Sequence, residues 1–245
     1  MSNVNRTAET YEELKEAYAL VYRNYLERRY CTPHPSLMRY TLHNASPDAI
    51  TFVSMADDTI TGTVSVIADS PLGLPCESGF PVEIDSLRDS GRWVAEAVSL
   101  SNGRPNDLFK LVFGYCKYLR VDDILVTCHP EHAPFYKGYL KFKQISNKHM
   151  LASVNNNPAV LLRLDMSCTD EIAREYSMLR KQFVDDPIST LVYDRRFRHT
   201  TGTFEDLFVY KRELLKEATA KEVRYLAACY PEIAVYNIIK LAWGL

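Results

Sequence analysis

The residue best suited to chemistry in this 245-residue chain is a single carboxylate, Glu96, inside the otherwise apolar run 92–100, Arg-Trp-Val-Ala-Glu-Ala-Val-Ser-Leu. The run reads as a buried strand, and an acid there must find a hydrogen-bond partner, become neutral or act as a base. Period-two geometry puts Arg92 on the face of Glu96, where it either binds an anionic substrate group or pairs with Glu96 or Asp85. Cys128-His129-Pro-Glu-His132 gathers three metal-ligand types in five residues, but without a distant partner set it predicts no metal centre. His129, ending a strand, is instead a candidate substrate contact or a solvated loop histidine. The most basic local cluster is Arg195-Arg196-Phe197-Arg198-His199, either a solvated face or a landing site for an acidic partner.

The elements that must position these groups are legible in the periodicity. Thr10 and Glu13 have capping-box spacing, and apolar residues then recur every three or four positions to about Arg29, predicting a helix. Residues 31–48 contain three prolines and read as irregular, with His34, Arg39 and His43 either lining a site or solvated. Runs 50–55 and 61–68 flank Ala56-Asp57-Asp58 and predict an antiparallel hairpin. A Pro- and Gly-containing break at 69–75, a short helix over 83–89 and the strand at 92–100 follow. A helix over 107–120 then leads to a buried strand at 123–128, a crossover that makes the two strands parallel in a mixed sheet. A short helix at 133–139 and strands at 141–145 and 160–166 complete this part. From Thr169 the texture changes to helices at 170–183, 204–217, 221–230 and 231–243. The expected organisation is therefore a catalytic domain over 1–166 with a helical C-terminal extension over 167–245.

Composition bounds the function. A net charge of -2 argues against nucleic-acid binding by the surface as a whole, and 47% hydrophobic with 24% charged residues is ordinary for a globular protein. No run of eighteen apolar residues occurs, and the opening residues lack the apolar core of a signal peptide, so no integral membrane segment and a cytoplasmic location are expected. Six scattered cysteines without a C-x-x-C pair fit reduced thiols.

The order of helix, hairpin, acid-bearing strand, helix, strand and short helix resembles the GCN5-related N-acetyltransferase fold. More closely, the chain resembles the long-chain N-acyl amino acid synthases of the FeeM type. Four stretches carry the likeness: Gly62-Thr63 through Asp69 to Gly73-Leu74-Pro75; Asp85-Ser-Leu-Arg88 with Gly91-Arg92 and Ala95-Glu96; His129-Pro130-x-His132 with Phe135-Tyr136; and Asn157-Pro158-Ala159-Val160-Leu161-Leu162. Together they cover about 11–165. The fold implied is α/β, a mixed twisted sheet of the acetyltransferase type flanked by helices.

The resemblance implies transfer of a fatty acyl group from a phosphopantetheine thioester to the amino group of an amino acid. Glu96 would be the base, because an α-amino group with a pKa of about 8 must lose a proton before it attacks. Backbone groups of Val98, Ser99 and Leu100 would contact pantetheine, with the Ala97 or Val98 amide facing the thioester carbonyl. Tyr136 would protonate the leaving sulfur, or else simply pack its helix. No tightly bound cofactor is implied. As donor, an acyl carrier protein is favoured over acyl-coenzyme A, because Gly103-Arg-Pro-Asn106 departs from the Q/R-x-x-G-x-G/A loop that cradles a pyrophosphate. Arg104 would then meet the single phosphodiester of the carrier's arm. Arg92 or Arg39 would hold the acceptor carboxylate, and Asp69 would position its amine or cap a turn. The readings set against this one are an acetyl-coenzyme A-dependent acetyltransferase and a non-catalytic acyl-binding module.

Overall fold

The computed structural model describes residues 4–102, 105–175 and 191–243. Thr10 caps α1 (Tyr11–Glu27): its hydroxyl accepts the Glu13 N–H and the Glu13 carboxylate accepts the Thr10 N–H. Leu14, Ala17, Tyr18 and Val21 form the face that α1 buries. β2 (Ile50–Ala56) and β3 (Thr59–Ala68) pair antiparallel through Asp57 and Asp58. Both residues take left-handed backbone angles, φ 49° and 59°, which suit the twist of the flanking strands. β1 (Val4–Thr7) pairs with β2; its sequence, Val-Asn-Arg-Thr, has no strand pattern of its own, and only the waiting edge of β2 makes it one.

Pro81 opens α2 (Pro81–Asp89), where its missing N–H needs no partner, and β4 (Val94–Asn102) follows. α3 (Pro105–Leu119) crosses over to β5 (Asp123–Cys128), and the two strands run parallel. α4 (Ala133–Gly138), β6 (Lys143–Gln144), β7 (His149–Leu151) and β8 (Asn157–Asp165) follow. The sheet order is β1-β2-β3-β4-β5-β8-β6, with β7 also on β8, and every neighbouring pair except β4–β5 is antiparallel. Alternation along β4 sends Ala95 and Ala97 to the face covered by α3 and α4. Val94 and Val98 go to the opposite face, with α2.

The C-terminal residues form α5 (Thr169–Glu175), α6 (Leu191–Asp194), α7 (Thr201–Glu205), α8 (Ala220–Cys229) and α9 (Val235–Trp243). The helix expected over 204–217 is three pieces: α7 runs into a π-helical turn, Asp206–Lys211, and a 3-10 turn, Leu214–Glu217, follows Glu213, whose φ of 52° stops continuous winding. The last helix starts at Val235 rather than Pro231, and the end of the one expected over 170–183 lies outside the described residues.

These helices share a core with the N-terminal half. Phe204, Leu207 and Phe208 are fully buried with Ala17, Tyr18 and Val53. The Tyr40 hydroxyl donates to the Leu207 carbonyl at 2.5 Å, and the Tyr230 hydroxyl to the Ala45 carbonyl at 2.8 Å.

Candidate active site

The parallel ladder between β4 and β5 is three residues long: Val94 with Asp123, Ala95 with Ile124 and Glu96 with Leu125. Beyond Glu96, β4 follows β3 while β5 follows β8, so the two strands part. A β-bulge drives the divergence, because Ser65 pairs with Val98 and Thr63 with Ser101, which places Ser99 and Leu100 opposite one residue of β3. Ser99 has φ 59°, a left-handed angle that bends the strand.

Two cavities open at this point. A cleft of about 130 Å³ between the parted strands is lined by Ala97, Leu100 and Ser101 of β4, Val126 and Cys128 of β5, and Tyr136 of α4. A larger cavity of about 530 Å³ lies against Glu96, Val98, Arg39, His43 and the 71–78 segment. Tyr25, Ser99, Thr127 and Val154 line both.

Glu96 is 1% exposed, yet both carboxylate oxygens are bonded: Oε2 accepts the Cys76 N–H at 2.8 Å and Oε1 accepts the Thr127 hydroxyl at 2.9 Å. Burial raises its pKa to about 7, against the smaller opposing pull of the Cys76 backbone and thiol and of Thr127. The group therefore sits where it can both take and release a proton near neutrality. Cys76 is held in place from a distance. Arg88 of α2 grips Asp69 (2.8 and 2.7 Å) and Glu77 (2.7 and 2.8 Å), so the ends of the 69–77 segment are clamped to one guanidinium. Gly73, at φ 75°, makes the turn between them.

Not every expected residue meets at this place. Val98, Ser99 and Leu100 line one or both cavities. Tyr136 lines the smaller cleft, its ring edge-on to Phe109 and Phe142 and its hydroxyl kept protonated by burial, which raises its pKa. His129 lines the same cleft, and its Nδ1 accepts the Glu131 N–H at 3.3 Å. Arg39 lines the larger cavity, its guanidinium 4.5 Å from the Tyr25 ring centroid and donating to the Ser153 carbonyl at 2.6 Å. Arg104 lies outside the described residues.

Arg92 and Asp69 line neither cavity. Since β4 begins at Val94, its alternation does not reach residue 92, and Arg92 turns to fully buried Asp123 and to Asp165. Asp123 also accepts from Arg163 at 2.8 Å, so the cluster ties β4, β5 and β8 together at their shared end. Asp69 is occupied by Arg88. The Arg195–His199 cluster lies elsewhere too: Arg196, Arg198 and His199 border a separate cavity near Tyr18, Asn44 and Tyr230. Among the described residues no group of three or more His, Cys, Asp and Glu could hold a metal ion, and no helix is long and apolar enough to cross a membrane.

Sequence reasoning missed Thr127, Cys76 and Tyr25. Thr127 could have been found only from the register, which sets it two residues beyond the partner of Glu96 and hence on the same face. Nothing in the sequence around Cys76 signals that its amide would meet a carboxylate twenty positions on.

The mixed sheet whose central parallel strands part at a bulge, with a buried acid at the fork, has the architecture of an acyltransferase. The family model for the N-acyl amino acid synthase FeeM matches residues 16–165, and the chain belongs to that family. It is similar to the solved structure of FeeM, an N-acyl amino acid synthase from uncultured soil microbes. The two share 26% identity and a TM-score of 0.60 over 67% of this chain and 92% of that one. A coenzyme A-dependent acyl-homoserine lactone synthase, BjaI, aligns at 12% identity and a TM-score of 0.48 over 74% of this chain and 90% of that one. A search of curated proteins finds no match.

Proposed function

We propose that this acyltransferase moves a fatty acyl group from an acyl carrier protein thioester to the amino group of an amino acid. The observation that carries the reading is Glu96, buried, with a pKa of about 7, beside residues that line both cavities. In this reading the thioester arm lies in the smaller cleft and the amino acid in the larger cavity, with Arg39 on its carboxylate. Glu96 takes a proton from the amine, whose nitrogen then attacks the thioester carbonyl carbon. The edge of β4 that leaves the ladder after Glu96 supplies a backbone N–H, that of Ala97 or Val98, for the oxyanion. The carbon–sulfur bond breaks, Tyr136 gives its proton to the leaving sulfur, the attacking nitrogen gives up its second proton to the tyrosinate directly or through water, and Glu96 releases the first to solvent. The products are an N-acyl amino acid and a free thiol; no covalent enzyme intermediate is needed.

The preference for a carrier protein rests on the sequence Gly103-Arg104-Pro105-Asn106. Its single glycine and Pro105 offer few converging N–H groups to a pyrophosphate. Incubating the protein with amino acids and either acylated carrier protein or acyl-coenzyme A, and following thiol release with mass spectrometry of the product, tests both halves. Faster release from the carrier protein is expected, with loss of product in Glu96→Gln. Equal product from Glu96→Gln would overturn the assigned base, and faster turnover of acyl-coenzyme A would overturn the assigned donor.

A further inference from the structure

The larger cavity has a wall that the family match does not include. The match ends at Asp165, yet Thr219, Lys221 and Glu222, at the start of α8, line the same cavity as Glu96 and Arg39. α8 is fixed there by the shared core, through buried Val223 and Leu226. The charges on this wall are not equivalent. Glu222 is engaged with its own helix cap, accepting the Thr219 N–H and hydroxyl, each at 2.6 Å. Glu77, also lining the cavity, is gripped by Arg88. Lys221 is exposed and, among the described residues, makes no ion pair, although its field helps to lower the pKa of Glu77.

We infer that α8 is the part of the acceptor site that reads the amino acid's side chain, and that Lys221 selects a side chain ending in a carboxylate. The inference rests on the proposed transfer to an amino acid. Arg39 serves the α-carboxylate in that reading, which leaves the ammonium of Lys221 for a second anionic group. A lysine point charge on a flexible stem tolerates different side-chain lengths, so both acidic amino acids fit the class.

The test uses the full-length protein with acylated carrier protein and an equimolar mixture of L-glutamate, L-leucine and L-lysine, the product ratio being read by mass spectrometry. The wild type is expected to favour glutamate. In Lys221→Ala the glutamate-to-leucine ratio should fall about tenfold, mainly through a higher KM for glutamate, and in Lys221→Glu the lysine product should rise above the glutamate product. Because Lys221 is exposed, both variants should melt with the wild type. Unchanged product ratios in both overturn the inference. Glu96→Gln in the same assay separates the two readings. If it abolishes product while the Lys221 variants keep wild-type ratios, only the side-chain assignment has failed. If the wild type itself makes no acylated amino acid from any of the three, the acyl-transfer reading has failed, and the side-chain assignment with it.

Discussion

Thr127 Oγ1 donates to Glu96 Oε1 at 2.9 Å across the point where β4 and β5 part, and this bond opposes the burial that lifts the Glu96 pKa to about 7. Thr127→Val removes the donor and keeps the shape. The midpoint of the kcat/KM-against-pH profile should then move up by about half a unit to one unit, and Thr127→Ser should bring it back. An unchanged midpoint in the valine variant would mean that Glu96 does not set the profile.

Glu96 should also leave a mark on stability. Its folded pKa lies above its ordinary value of 4.5, so folding favours the protonated form. Below pH 4.5 both states hold the proton and the group has no cost. Between 4.5 and about 7 the unfolded chain has released it while the folded chain has not, so stability falls as pH rises, by on the order of 3 kcal/mol in all. Above 7 the contribution is level. Urea unfolding of the wild type and Glu96→Gln at several pH values between 4 and 8 should give a difference in stability that follows this curve; a flat difference would contradict it.

Arg88 acts through Cys76 and is a positioning residue. Arg88→Ala releases Asp69 and Glu77 together, and the segment carrying the Cys76 N–H loosens. The expected result is a fall in kcat of about tenfold with an upward shift of the pH midpoint, because the carboxylate loses a donor. Arg88→Lys should restore this only in part, since an ammonium cannot make the two bidentate contacts. Loss of stability without movement of the pH midpoint would reduce Arg88 to a scaffold residue.

Arg92 is expected to matter for folding rather than for the acceptor. Arg92→Ala leaves Asp123 with one partner fewer in a fully buried site and should cost ~2–3 kcal/mol in urea unfolding. The KM for the amino acid should stay within about twofold of the wild type. A large rise in KM at unchanged stability would return Arg92 to the acceptor site.

The C-terminal helices should prove inseparable from the rest. Phe208→Ala opens a cavity in the core shared with α1 and should cost ~3–5 kcal/mol. A chain ending at residue 196 should lose cooperative thermal unfolding, as followed by circular dichroism. A truncated chain that melts like the wild type would establish an independent domain over the N-terminal part.

Much of the architecture was legible because it depends on local pattern. The Thr10–Glu13 box, the heptad-like spacing of α1, the paired aspartates of the β2–β3 turn and the apolar crossover through α3 each specify their element from a few neighbouring residues. The same is true of Glu96: one carboxylate in an apolar strand is conspicuous before any fold is known.

What surrounds it was not legible. Whether Arg92 shares the face of Glu96 depends on where β4 begins, and that is fixed by its pairing with Asp123 and not by the strand itself. The Cys76 amide reaches Glu96 because Arg88 draws Asp69 and Glu77 together, a contact between three elements. Lys221 joins a cavity more than a hundred residues away because buried aromatic residues dock the C-terminal helices on α1. The sequence by itself determined which residue carries the acid and which strand holds it, since those follow from short-range periodicity. Only the tertiary structure decided the partners of that acid and the walls around it, because long-range packing sets them and leaves no repeat in the chain.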